Sequence, residues 1–227
     1  MINEKKIKNL LSKDFICFIK NPDQVFHSNF KQDFIIFVIL TFLNFFGLFV
    51  KGIVTKEPSI ESSDLPNFTF SKIFPIIFLI PLIEEFAFRG FLQLRSKLIF
   101  IISLISYIIL LITFVSNYTI KAIMVIVMII TGLLFLLFKN WYPLLIDFIT
   151  NNLKILIFIS SICFGIMHLT NFENFEWINL ISIFEKIISG IFLCYITHKY
   201  NILHSYFFHI LNNSIPFILV MIYILSQ

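Results

Sequence analysis

The sequence has few of the residues that a water-soluble protein of its length carries. Only 13% of its 227 residues are charged, about half the share in an average soluble domain. Six glycines and seven prolines, beside many apolar side chains that need burial, exclude a linker or a disordered chain. The three cysteines are odd in number and support neither a disulfide framework nor a cysteine-rich metal site. A soluble globular enzyme and a disordered protein are thereby excluded.

Apolar residues are correspondingly abundant. Hydrophobic residues make up 59% of the chain, 31 residues are phenylalanine, and the mean hydropathy is +0.95. The net charge of +4 comes from basic residues scattered at the ends of apolar segments, which is typical of membrane-protein loops and not of a nucleic-acid-binding face. We therefore expect an integral membrane protein with no nucleic-acid partner.

The apolar runs predict the fold. Each is close to the ~20 residues that an α-helix needs to cross a bilayer. The chain is therefore expected to be all-α, a polytopic transmembrane bundle of about seven spans. The predicted spans are 34–54, 70–92, 98–116, 120–138, 153–168, 182–198 and 202–225.

The lysine-rich N-terminal segment, residues 1–33, is expected to lie at the membrane surface. Its apolar side chains recur every three or four residues, which predicts an amphipathic interfacial helix in contact with membrane lipids. These side chains are Ile7, Leu10, Leu11, Phe15 and Phe18. The distribution of basic residues predicts a cytoplasmic N-terminus. The bias toward Ile, Phe, Lys and Asn fits an AT-rich bacterial genome, hence a bacterial cytoplasmic membrane.

Polar residues inside the predicted spans are the candidates for function. An ionisable side chain at mid-membrane costs roughly 2.5–3.5 kcal/mol on insertion scales. Glu84, Glu85 and Arg89 form the first such cluster, near the end of the second span. Glu85 and Arg89 are four residues apart and are expected to pair on one helix face, whereas Glu84 points about 100° away. Pro81 is expected to kink this helix.

Two further clusters follow on later spans. Phe164 and His168 share a helix face, and so do His209 and Asn213. Taken singly, the three clusters also fit simpler roles: charges at a helix end, an interfacial histidine, and hydrogen bonds that join helices. Among the other polar residues, Asn44 is expected to join two helices, and Glu185 and Lys186 to pair near the membrane interface.

The ordered set of Glu-Glu-x-x-x-Arg, Phe-x-x-x-His and His-x-x-x-Asn resembles the CPBP intramembrane protease family. That family comprises type II CAAX prenyl proteases, bacteriocin-processing and immunity proteins, and Abi proteins. The resemblance covers roughly residues 70–217. Its first two motifs lie farther apart here than is usual, because the spans within 98–138 form an apparent inserted hairpin. We accordingly divide the chain into an interfacial segment, 1–33, and a protease domain, 34–227.

The resemblance implies an intramembrane endopeptidase that acts on a membrane-embedded or lipid-proximal peptide. It implies that Glu84 activates a water with His168, and that His209 and Asn213 stabilise the oxyanion. The expected catalytic residues are Glu84, Glu85, His168, His209 and Asn213, with Arg89 and Phe164 as structural support. No cofactor is expected.

Two alternatives stay open. In the first, the same protease depends on Zn²⁺, with Glu84, His168 and His209 as ligands and an open fourth position. In the second, the protein is a non-catalytic immunity protein or binds haem or ions through these residues.

Overall fold

The computed structural model describes residues 13–24, 26, 29–55, 73–93, 96–114, 118–137, 140–171 and 177–225. Within these ranges all regular secondary structure is helical and no strand occurs, which confirms the all-α prediction. The α-helices described are α1 (Lys13–Lys20), α2 (Phe30–Thr55), α3 (Ile80–Arg89), α4 (Lys97–Phe114), α5 (Tyr118–Leu137), α6 (Trp141–Asn151), α7 (Leu153–Met167), α8 (Asn179–Lys199) and α9 (Ile202–Leu225).

Fewer helices than predicted meet the length and hydropathy needed to cross a membrane. In the part of the chain that the structure describes, α2 over Phe30–Gly47 and α8 over Asn179–Lys199 do so. A third span is obtained if α6 and α7 are counted together, although their axes differ by 84°. The count of seven spans stays a prediction.

The bend between α6 and α7 lies at Asn152, whose backbone angles, φ −117° and ψ 17°, are not those of an α-helix. Its side-chain amide and its backbone N–H both donate to the carbonyl of Phe148, at 2.8 and 3.1 Å, and so close the last turn of α6. The Asn152 carbonyl then accepts the N–H of Leu156 at 3.0 Å and opens α7. The span predicted at 153–168 is therefore preceded by a separate helix at a steep angle.

Helix α3 is flanked by irregular turns. A π-helical turn, Pro75–Leu79, precedes it, and a 3₁₀ turn, Gly90–Gln93, follows it. Ile80 donates its N–H to the carbonyl of Pro75, five residues back. Pro81, which has no N–H, comes directly after this wider turn. The irregularity expected at Pro81 is thus found in the turn before it.

The aromatic face of α1 packs inside the protein. Phe15 and Phe18 are 8% and 1% exposed, and their rings lie 5.3 and 5.4 Å from the ring of Tyr195 on α8. These two side chains therefore contact the bundle and not lipid. The other apolar residues of the predicted interfacial helix lie outside the described residues, so its placement on the membrane stays a prediction.

A buried carboxylate holds α2 against the end of α8. Asp33 is fully buried and accepts hydrogen bonds from the hydroxyls of Tyr195 and Tyr200, both at 2.7 Å. Lys199 pairs with Asp33 at 3.1 Å and with Asp14 of α1 at 3.3 Å. Burial and the hydrogen bond to Asp33 raise the pKa of the Tyr200 hydroxyl. This network fixes the turn from which α9 starts.

The predicted insertion is part of the bundle. Ser103 of α4 donates to the carbonyl of Phe86 on α3 at 2.8 Å, and its side chain fills the space beside Gly90. The rings of Phe88 and Tyr107 meet edge to face at 5.7 Å. Helix α4 thus supports α3 directly, whereas α5 packs mainly on α4 and α6.

Candidate active site

The three polar clusters of the sequence meet in the structure. Helices α3, α7 and α9 bring them together inside the bundle, and α3 contacts both of the others. Glu84, Glu85, Arg89 and His209 are each at most 4% exposed. Charged groups are rarely buried to this extent unless other polar groups pair with them.

Glu85 is the centre of the hydrogen-bond network. One carboxylate oxygen accepts from Arg89 Nη1 at 3.1 Å and lies 2.8 Å from His209 Nδ1. The other oxygen accepts a short hydrogen bond from the hydroxyl of Ser205. Because Ser205 and His209 both lie on α9, Glu85 joins α3 to α9. The pairing of Glu85 with Arg89 is the one that their spacing suggests.

Phe164 joins the network to α7. The guanidinium carbon of Arg89 lies 4.2 Å from the centre of the Phe164 ring, which is a cation–π contact. The same ring meets His168 at 4.7 Å and His209 at 5.7 Å, edge to face in each case. Phe164 therefore holds both histidines in place, as an aromatic spacer between α7 and α9.

Glu84 contacts the other side of the His209 ring. Its Oε2 lies 3.4 Å from His209 Nε2, which is long for a hydrogen bond. A single proton, carried either by Glu84 Oε2 or by His209 Nε2, makes this contact attractive. Glu84 also lines the main cavity, so its carboxylate can reach a water or substrate there.

His168 presents one ring nitrogen to the cavity. It directly follows α7, at the start of the 3₁₀ turn His168–Asn171. Its Nδ1 lies 2.8 Å from the carbonyl of Phe164. Because a carbonyl only accepts, Nδ1 carries a proton and donates it. In the neutral ring Nε2 is then a hydrogen-bond acceptor.

The site opens into a cavity of about 420 Å³, a size common for small-molecule sites. A second space of about 20 Å³ adjoins it and is lined by both site histidines. The polar residues around the main cavity are Asn44, Glu84, His168, Lys186, Asn212 and Asn213. Asn213 also donates to the carbonyl of Ile76, in the π turn, at 3.4 Å.

Three residues of the site were not predicted from the sequence. Ser205 precedes His209 by four residues, a spacing that was available as a signal. Asn212 and Lys186 line the cavity, although the first was not considered and the second was expected to pair with Glu185. The charges of Glu185 and Lys186 do interact, but no ion pair within 4.0 Å joins them in the described structure. The Glu185 carboxylate instead occupies the space left by Gly47 of α2.

The proposed zinc ligands are not arranged as a metal site. Among the residues that the structure describes, no group of three His, Cys, Asp or Glu side chains could hold a metal ion. Glu84 and His209 are adjacent, but both nitrogens of His209 face carboxylates. The zinc alternative therefore requires these side chains to rearrange.

Comparison with known protein families finds one that is similar to part of the chain. Residues 144–215 match the family described as "Type II CAAX prenyl endopeptidase Rce1-like". The match confirms the resemblance to the CAAX protease family. No curated protein and no solved structure matches the chain. The apolar helices and this partial match together indicate a membrane protein that is similar to CAAX-type proteases over residues 144–215.

The matched segment covers about a third of the chain, from α6 to the middle of α9. It contains His168, His209 and Asn213 but not the glutamates of α3. The structure connects these glutamates with the matched segment, because Glu84 and Glu85 both contact His209. The first motif thus belongs to the same site as the segment that matches the CAAX protease family.

Proposed function

We propose that the protein is an intramembrane endopeptidase that hydrolyses a peptide bond in a membrane-associated peptide or protein tail. Glu84 and His168 activate a water, and His209 and Asn213 stabilise the oxyanion. The contact of both α3 glutamates with His209 carries this proposal, because it joins the carboxylates to a segment of the CAAX protease family.

The first step is the attack of water. A water in the cavity donates one hydrogen bond to Glu84 and the other to His168 Nε2, the acceptor nitrogen. Glu84 takes a proton as the water oxygen bonds to the carbonyl carbon of the substrate. The carbonyl π bond breaks, and its electron pair goes to the oxygen. The product of this step is a tetrahedral oxyanion.

The second step is the collapse of that intermediate. His209 Nε2, when protonated, and the Asn213 amide donate hydrogen bonds to the oxyanion, in a site where water is largely excluded. Glu84 returns its proton to the substrate nitrogen, and the C–N bond breaks. One product carries a new carboxyl group and the other a new amine. Because the contact of His209 Nε2 with Glu84 is long and therefore weak, His209 can exchange it for a hydrogen bond to the oxyanion.

Glu85 and Arg89 act on the site through His209 and Phe164. Glu85 holds Nδ1 of His209 and so directs Nε2 toward Glu84 and the cavity. Arg89 balances the charge of Glu85 and packs on Phe164. Neither lines the cavity, so we propose that both position the catalytic groups and do not touch the substrate.

The proposal includes no metal, since a glutamate and a histidine suffice to activate water. It places the protein in a bacterial cytoplasmic membrane with a cytoplasmic N-terminus and lipids around the apolar helices. Substrates that suit such a site are leader peptides, peptide pheromones and prenylated CAAX tails.

The test compares membrane peptides in cells that carry the wild type, Glu84→Gln or His168→Ala. Loss of a general base slows proton transfer by about 10²–10⁴-fold, so uncleaved precursors should accumulate in both variants at unchanged protein levels. Matched controls are Asp147→Asn, an exposed acid on α6, and His204→Ala, which removes a ring that stacks on Tyr200. Both controls should cleave as the wild type does. Wild-type cleavage by Glu84→Gln would contradict the assignment.

A further inference from the structure

Lys186 is a basic residue inside the candidate active site. It lies two turns into α8, within the apolar span Asn179–Lys199. It lines the main cavity beside Glu84 and His168, and also the smaller space beside His209. A lysine at such a depth costs a few kcal/mol to insert, so a functional role is the default expectation.

No residue of the described structure neutralises Lys186 directly. Neither a hydrogen bond nor an ion pair within 4.0 Å is found for its ammonium group among these residues. Its neighbour Glu185 faces Gly47 on α2, and Glu84 contacts His209 instead. The ammonium group is therefore available to an anion that enters the cavity.

Lys199, on the same helix, shows how a structural lysine differs. Its ammonium group contacts Asp14 at 3.3 Å, Asp33 at 3.1 Å and the hydroxyl of Tyr195 at 2.8 Å. These contacts satisfy all three of its N–H donors. Lys186 has no comparable set of hydrogen-bond or ion-pair partners among the described residues, and the polar residues that line the cavity with it are Glu84, His168 and three asparagines.

We propose, on the basis of the proposed function, that Lys186 binds the free C-terminal carboxylate of the peptide substrate. The amides of Asn44 and Asn212, which line the same cavity, supply further hydrogen-bond donors. A cavity of about 420 Å³ holds a few residues and not a folded segment. A peptide whose C-terminus is held in this cavity is therefore also within the space that Glu84 lines.

A second role for Lys186 must be separated from this one. Its charge also interacts with the carboxylate of Glu185 and, more weakly, with that of Glu84, so it would favour the ionised base without touching the substrate. In that case its loss slows the cleavage of every substrate equally. Binding of a carboxylate affects only substrates that carry one at the C-terminus.

The test uses full-length protein in lipid bilayers with two pools of palmitoylated peptides. Both pools are randomised over the last six residues, one with free C-terminal acids and the other with C-terminal amides. Mass spectrometry gives the rates and the cleavage sites. A charge-assisted hydrogen bond corresponds to about a tenfold to hundredfold effect. The wild type should cleave the acid pool faster by this factor, mainly through KM.

Variants assign the effect to one residue. Lys186→Met should cleave acids as slowly as the wild type cleaves amides, and Lys186→Arg should keep part of the preference. Lys154→Met removes a lysine on the exposed side of α7 and should behave as the wild type. Equal wild-type rates on both pools, or an equal loss on both pools in Lys186→Met, would overturn the inference.

A binding measurement separates this inference from the proposed function. Photoreactive acids and amides are crosslinked to the Glu84→Gln protein, and the amounts of crosslinked product are compared. Preferential crosslinking of acids that Lys186→Met abolishes supports the carboxylate site even when no peptide is cleaved. Equal crosslinking of both pools contradicts it. Absence of cleavage in both pools contradicts the proposed function alone.

Discussion

Replacement of Glu85 by alanine should destabilise the protein, whereas replacement of its neighbour Glu84 should not. Glu85 is fully buried and accepts hydrogen bonds from Arg89 and Ser205, with His209 Nδ1 also in contact. Its loss leaves the Arg89 guanidinium buried without a counter-charge. Breaking a buried ion pair from one side costs about 3–5 kcal/mol, a large part of the roughly 5–15 kcal/mol that stabilises a typical protein.

The two glutamates differ in the buried polar groups that lose a partner when each is replaced. Among the residues that the structure describes, Glu84 makes one polar side-chain contact, a long one of 3.4 Å with His209, so Glu84→Ala should cost at most about 1 kcal/mol. For a chain of this length, 1 kcal/mol corresponds to roughly 2–4 °C in Tm. Glu85→Ala should therefore lower Tm by roughly 6–20 °C, and Glu84→Ala by a few degrees at most.

A buried cysteine provides the assay. Cys194 is fully buried next to the site, whereas Cys17 and Cys163 are exposed. In a background with serine at the two exposed positions, a thiol-reactive fluorophore labels Cys194 only when the bundle opens. Fluorescence against temperature then gives Tm in detergent for each glutamate variant.

The double variant Glu85→Ala/Arg89→Met is the control for charge. Removing both partners eliminates the unpaired cation, so a substantial part of the lost Tm should return. The reasoning is refuted if Glu85→Ala and Glu84→Ala unfold within about 2 °C of each other, or if the double variant is no more stable than Glu85→Ala.

Two other predictions follow from the site. Hydrolysis should persist after treatment with phenanthroline and EDTA, and elemental analysis of active protein should find no stoichiometric zinc. A loss of cleavage that is restored by added Zn²⁺ would contradict the metal-free mechanism. Gly165→Ala should lower activity at least about tenfold. Its new Cβ would lie 2.5 Å from the Ile187 side chain and 3.0 Å from the backbone carbonyl of Ile183. Helix α7 must therefore shift, and His168 shifts with it. Gly132→Ala, whose Cβ meets Leu104 at an ordinary 3.4 Å, is the matched control and should stay fully active.

The ends of several helices could be predicted from the sequence because the signals for them are local. The runs at 153–168 and 202–225 became Leu153–Met167 and Ile202–Leu225. An uninterrupted apolar run leaves the backbone no partner except its own turns. The bend at Asn152 was not predicted, because it depends on which carbonyl that side chain binds.

Partner choice between helices was the harder part of the site. The spacing of Glu85 and Arg89 indicates their pair, because both lie on one helix. The contact of Glu85 with Ser205, 120 residues away, has no such signal. The role of Lys186 was not predicted for the same reason, because its sequence neighbour Glu185 was taken as its ion-pair partner. Sequence neighbours one position apart point in different directions on a helix, and only the packing of α2 shows that Glu185 faces Gly47.

The contacts between helices also explain how the site assembles although residues 98–138 separate its first two motifs in the sequence. Helix α4 adds a hydrogen bond from Ser103 to α3, while α5 packs mainly on α4 and α6 and exposes apolar side chains such as Ile126 and Ile130. The links that assemble the site run from Glu85 to α9 and from Arg89 to Phe164. None of these passes through α5, so the hairpin lengthens the sequence between the motifs without separating them in space.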